Sequence, residues 1–150
     1  MTSEVSIRAV RAFFDAYRAH DVEKMVEACS ERADFRYVPF EIWGKQRVLR
    51  GDGKVRSIGK VLWTGLIDSF PDLGNEVTSI RADDDGNVAA EVTLRGTQAK
   101  PWGGLHNPGK AFAVPHLFLF RVDEIGRIEE VQAYWDSAEM HRQLGRLEVD

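Results

Sequence analysis

Apolar positions recur at helical spacing from the start of the chain. Val5, Val10, Phe13, Phe14 and Tyr17 fall on one side, which predicts an amphipathic helix over about residues 3–19. His20 and Asp21 interrupt it. Asp21 then has the chemistry of an N-cap for a second helix, with Val22, Met25 and Val26 on its apolar side and Cys29 inside it. From Asp34 the period shortens to two, through Phe35 and Tyr37 to Pro39, and this reads as a strand. A loop through Trp43 and Lys45 leads to Gly51-Asp52-Gly53. Val55, Ile58, Leu62, Leu66 and Phe70 set out another helical stripe. Pro71 closes it, because the residue before a proline is pushed out of the helical region.

The remainder alternates. Residues 75–82 and 87–98 flank the turn Asp83-Asp84-Asp85-Gly86, and residues 111–122 and 127–135 flank a second turn at Asp123–Gly126. A last helix starts at Asp136, where Asp136-Ser137-Ala138-Glu139 resembles a capping box, and Gly145 ends it. Helices first and an antiparallel meander afterwards predict an α+β domain. Such a sheet, strongly curved around the early helices, leaves a pocket between them. In the 111–122 strand, Phe112, Val114, His116, Phe118 and Phe120 share one face, and Ala111, Ala113, Pro115, Leu117 and Leu119 share the other. Both faces are largely apolar and the helices cover only one. A homodimer through the outer sheet face is therefore expected, with cover by a loop or terminus as the alternative.

The length of 150 residues is that of one domain, and the hydrophobic fraction of 43% supports a real core. The net charge of −4 gives no basic footprint, which argues against nucleic acid as a partner. Cys29 stands alone, so neither an intramolecular disulfide nor a cysteine-cluster metal site is expected. The first residues lack the basic end and apolar run of a signal peptide, and no stretch reaches the length of a membrane span. A cytoplasmic protein without membrane contact is expected. There is no Gly-rich phosphate loop, no G-x-S-x-G elbow and no H-E-x-x-H, and nothing demands a metal or an organic cofactor.

Candidate chemistry gathers on a few residues. His116, flanked by phenylalanines, is either a general acid or base titrating near neutrality or a neutral core histidine satisfied by one hydrogen bond. Tyr37 shares its strand face with Phe35, so its hydroxyl is expected to point inward, as an orienting group for an oxyanion or as a structural phenol. His106, in the Gly- and Pro-rich loop from Trp102 to Lys110, either reaches the pocket mouth or is an exposed turn residue. Trp43, Trp63, Trp102 and Trp135 either line an apolar site or pack as core and rim. Trp135 has the parity of Val131 and Ala133, which would suit a cavity wall. His20 and His141 read as surface residues, and Cys29 as packing.

The ordering resembles the nuclear transport factor two-like superfamily of cone-shaped, cystatin-like α+β barrels. Phe70-Pro71-Asp72-Leu73, Thr93-Leu94-Arg95-Gly96-Thr97, the Gly104–Lys110 loop and Gln143-Leu144-Gly145 are similar to SnoaL-like polyketide cyclases. Asp123-Glu124-Ile125-Gly126-Arg127-Ile128, running on to Gln132-Ala133-Tyr134-Trp135, is similar to ketosteroid isomerases. The resemblance implies a curved sheet around N-terminal helices and a pocket for a small apolar ligand. Carried over residue by residue, the isomerases' oxyanion tyrosine falls at Phe13, their basic aspartate at Tyr37 and their protonated aspartate at Phe118. The cyclases' acid–base aspartate falls at Ala133, while those cyclases also carry a histidine in the strand that holds His116. This chain departs from both carboxylate patterns. The expected function is cofactor-free cyclisation, isomerisation or dehydration of an apolar cyclic or polyketide-like substrate. His116 would move the proton, Tyr37 would hold the oxyanion, and Phe13, Tyr17, Trp63, His106, Phe118, Ala133 and Trp135 would bind the ligand. The alternative is a non-catalytic ligand-binding or sensor domain of the same fold, and an assembly module is a third reading.

Overall fold

The first apolar stripe folds into α1 (Ser3–Arg18), which buries Val10, Phe13, Phe14 and Tyr17. The computed structural model describes residues 3–40, 51–102 and 105–145. Helix α1 ends in a Schellman motif: Asp21 N–H donates to the Ala16 carbonyl at 2.9 Å and His20 N–H to that of Tyr17 at 3.0 Å. The motif needs a left-handed residue, and His20 supplies it with φ at 60°. The strain is offset by a contact of His20 Nε2 with the Leu73 carbonyl at 2.6 Å, which ties the helix end to the approach to the third strand. Asp21 then caps α2 (Val22–Glu27), accepting from the Lys24 N–H at 3.1 Å.

Strand β1 (Cys29–Phe40) begins ahead of the predicted Asp34, so Cys29 lies in a strand and not in a helix. The chain is drawn into the sheet by pairing of Cys29 with Ile128, and an irregularity between Cys29 and Asp34 breaks the alternation that would have marked the strand. Gly51-Asp52-Gly53, to which the expected loop leads, belongs to β2 (Gly51–Lys54), antiparallel to β1. The expected loop residues Trp43 and Lys45 lie outside the described residues. A π-helical turn (Val55–Gly59) leads into α3 (Lys60–Ser69), which buries Trp63 and Leu66.

Strands β3 (Gly74–Ala82), β4 (Asn87–Thr97), β5 (Ala111–Val122) and β6 (Ile128–Asp136) follow the predicted spans, and α4 (Ser137–Gln143) closes the described chain. The turns after β3 and β5 are built alike. Asp83 Oδ1 accepts from the N–H groups of Asp85 and Asn87, and Asp123 Oδ1 from those of Ile125 and Arg127. Each turn then uses a glycine at φ near 90°, Gly86 and Gly126, where a Cβ would be strained. Asp136 caps α4 by accepting from Glu139 N–H at 3.0 Å. The box is not reciprocal, because the Glu139 carboxylate is held by Arg142 and Gln143.

The six strands lie in the order β2-β1-β6-β5-β4-β3, in a curved sheet that does not close. One pairing departs from the expected antiparallel sheet: β1 and β6 run parallel. A parallel pair needs a long crossover, and here α3 and four intervening strands provide it. Helix α1 packs across β3, β4 and β5, and α4 packs on β5 and β1. The fold is α+β, with its core between the helices and the concave sheet face. Phe13 is fully buried at the centre, edge-on to Phe14, Trp63 and Phe120 at 5.4 Å each.

Candidate functional site

Strand β5 alternates without a break, so Phe112, Val114, His116 and Phe118 all turn inward. The register sets His116 beside Trp135 and Phe118 beside Ala133 on β6. Between Val131 and Trp135 on the same face, Ala133 presents only a methyl group, and space remains in front of it. The result is a cavity of about 60 Å³. Tyr17, Trp63, His116, Phe118, Ala133 and Trp135, all candidates from the sequence, are among its lining. Helix α3 adds Leu62 and Leu66, and α4 adds Ser137 and Met140. Phe35, Leu94, Trp102 and Phe112 complete the wall. Among these, Leu62, Trp102 and Trp135 are half-buried and the others buried, so the cavity meets solvent at those three side chains. The space holds a few waters. It is smaller than the ~150 Å³ that admits benzene elsewhere, so a ring enters only as mouth side chains shift.

His116 is 7% exposed. Its imidazole stacks on Trp135 at 5.2 Å and 9°, and on Phe118 at 6.0 Å and 20°. Nδ1 lies 3.0 Å from the carbonyl of Val114. A carbonyl only accepts, so Nδ1 carries the proton and Nε2 keeps a lone pair. Nε2, at the far tip of the ring, has no hydrogen-bond partner among the described residues. Burial pushes the imidazole down to about 4, against the weaker upward pull of the Val114 and Pro115 carbonyls. The ring is therefore neutral at pH 7, an acceptor always ready but weakly basic.

Tyr17 is the second polar group of the cavity, and the sequence had marked it only for shape. Its hydroxyl has no partner among the described residues, and burial raises its pKa above the ordinary value. It stays protonated and can donate. Ser137, whose hydroxyl also has no partner among the described residues, was missed because its position was read as helix capping alone. No carboxylate, lysine or arginine stands among the described lining residues.

Three expected site residues are placed elsewhere. Tyr37 points inward from β1 next to Ala133, but its ring lies on Gly51, where a Cβ would come within 1.9 Å of it. It packs 5.9 Å from Phe35 and 6.1 Å from Trp135, half-buried and outside the cavity lining. Phe13 is core and not wall: Tyr17, one turn on, takes the place at the cavity. His106 is exposed and does not reach the site. Burial pushes the Cys29 thiol up to about 12, which suits packing and not reactivity. Among the described residues no three His, Cys, Asp or Glu side chains gather as a metal site, and no helix is long and apolar enough to cross a membrane.

The profile of the SnoaL-like polyketide cyclase family matches residues 7–144. AclR of Streptomyces galilaeus, a proposed hydroxylase, superposes with a TM-score of 0.77 at 19% identity over 99% of this chain and 89% of its own. IdmH of Streptomyces antibioticus, a proposed polyketide cyclase, gives 0.74 at 24% identity over 94% and 99%. An epoxide hydrolase of M. tuberculosis gives 0.61 at 24% identity over 95% and 90%. At these identities the likeness shows a shared fold. No curated protein matches the sequence.

Proposed function

The chain belongs to the SnoaL-like polyketide cyclase family, and on that premise we propose that it binds an apolar cyclic or polyketide-like molecule in the cavity and performs cofactor-free acid–base chemistry on it. Cyclisation, isomerisation and dehydration share one first step, removal of a proton next to a carbonyl. His116 Nε2 takes that proton. Tyr17 donates to the oxygen on which charge then grows, the role the sequence had given to Tyr37. The observation that supports this best is the fixed tautomer of His116: a bare nitrogen in an uncharged aromatic cavity that also holds a free phenol.

The test is deuterium uptake at the activated carbon of a panel of cyclic β-dicarbonyl compounds. A positioned base contributes roughly 10²–10⁴ in rate. The His116→Phe variant should lose that factor, and Tyr17→Phe a smaller part of it. Uptake that is unchanged in His116→Phe refutes the catalytic role.

The non-catalytic reading is favoured by one observation. A base works best with a pKa near the operating pH, and His116 lies well below neutrality. Under that reading the wild type binds ligand and exchanges no proton. We also propose that a second copy of the chain covers the outer face of β5, where Ala111, Ala113, Pro115 and Leu117 are exposed side by side. Sedimentation should show a dimer that Leu117→Glu dissociates, and a wild-type monomer refutes it.

A further inference from the structure

The polar groups of the cavity are not interchangeable. The Tyr17 and Ser137 hydroxyls can donate or accept. His116 cannot. Its proton is committed to the Val114 carbonyl at 3.0 Å, and the ring cannot turn over without leaving that bond and the stack on Trp135. Nε2 is thus an acceptor only, and 7% exposure leaves the ring little water of its own. A ligand that enters without a donor strips water from that nitrogen and offers nothing in return. An ionised ligand fares worse, because no described lining residue carries the opposite charge.

Resting on the reading that this cavity takes a ligand, we infer that it selects uncharged molecules that donate a hydrogen bond, as a phenol or enol hydroxyl does, and turns away their ethers and anions. The wall suits the rest of such a molecule. Trp63, Phe118 and Trp135 offer ring faces and edges, and a flat ligand lies against them at low conformational cost. A six-membered ring exceeds the standing space of about 60 Å³, so Leu62 or Trp102 must move at the mouth. The ether carries one more methyl group to accommodate, a cost that the wild type and His116→Phe share and that cancels when their ratios are compared. Both oxygens accept from Tyr17 alike. The ratio therefore reads donation by the ligand, and its change in His116→Phe assigns that donation to Nε2 and not to the Tyr17 or Ser137 hydroxyls.

The experiment is calorimetric titration of the full chain at pH 7 with phenol, anisole and benzoate. Phenol should bind roughly tenfold or more tighter than anisole, the ratio set by one buried hydrogen bond made or left unmade. Benzoate should not bind. In His116→Phe, which keeps a flat ring in the stack, the ratio should fall roughly tenfold from its wild-type value. Equal binding of phenol and anisole by the wild type overturns the donor rule while leaving a ligand site in place. No binding of any probe overturns both that rule and the ligand-binding reading. A ratio that survives in His116→Phe overturns the assignment to Nε2. Should that variant fail to fold, the nitrogen resonance of Nε2 in the wild type reads the same contact. It should move with phenol and not with anisole, and a resonance that moves with neither overturns the inference.

Discussion

Acidification will destabilise this fold through one ring. His116 is buried, and burial pushes its pKa from the ordinary 6.5 to about 4. In the unfolded chain the same imidazole takes up its proton near 6.5. Between the two values the unfolded state holds a proton that the folded state refuses, so stability falls as pH falls. The loss starts near pH 6.5 and levels off below about 4, where both states are charged. A gap of roughly 2.5, at about 1.4 kcal/mol for each tenfold change in proton affinity, amounts to about 3 kcal/mol. For a chain of this length that is roughly 10 °C in Tm. The assay is urea unfolding from pH 7 down to about 4, for the wild type and for His116→Phe. Carboxylates that are hydrogen-bonded in the fold also lose stability as pH falls: Asp72 to the Thr97 N–H, Asp83 to Asn87 and Glu139 to Arg142 are each held below the usual range. Those contributions are present in both proteins and cancel in the difference. The wild type should lose about 3 kcal/mol more than the variant over this window. Parallel curves would refute a neutral, buried imidazole, and with it the acceptor that the proposed chemistry requires.

Three further outcomes follow from the packing. Phe13→Ala empties the aromatic centre and should cost about 3–5 kcal/mol in urea unfolding, near the top of the range for a core residue. A cost below about 1 kcal/mol would mean that Phe13 is cavity wall after all. Gly51→Ala drives a methyl group into the Tyr37 ring and should cost about 1–3 kcal/mol, whereas Tyr37→Ala in the same chain should relieve the clash, so that the double variant shows strong coupling. Asp136→Ala removes the cap of α4 and should cost about 1 kcal/mol. Because α4 carries Ser137 and Met140, the same change should weaken phenol binding, and unchanged affinity would show that α4 is not part of the site.

The chemistry of the site was partly legible in the sequence. His116 was singled out because strand parity and neighbouring phenylalanines already imply a buried imidazole, and its depressed basicity is the physical outcome of that burial. Which nitrogen carries the proton was not legible, since that depends on a carbonyl of its own strand lying within 3.0 Å. Tyr37 had the right parity and the wrong surroundings. Gly51 on the adjacent strand leaves room for the phenol ring to lie down outside the cavity, and no local pattern announces such a contact.

The sequence by itself determined what depends on near neighbours along the chain. Helix faces follow from spacing, the two Asp–Gly turns from side-chain hydrogen bonds to adjacent N–H groups, and the inward row of β5 from a two-residue repeat. Tertiary structure alone decided what depends on distant partners. It set β1 parallel to β6, drew Cys29 into the sheet through Ile128, and separated Phe13 in the core from Tyr17 at the cavity one turn away. The reason is that backbone geometry fixes periodicity within a few residues, whereas the partner a strand or ring meets is chosen by the whole chain when it packs its apolar surface.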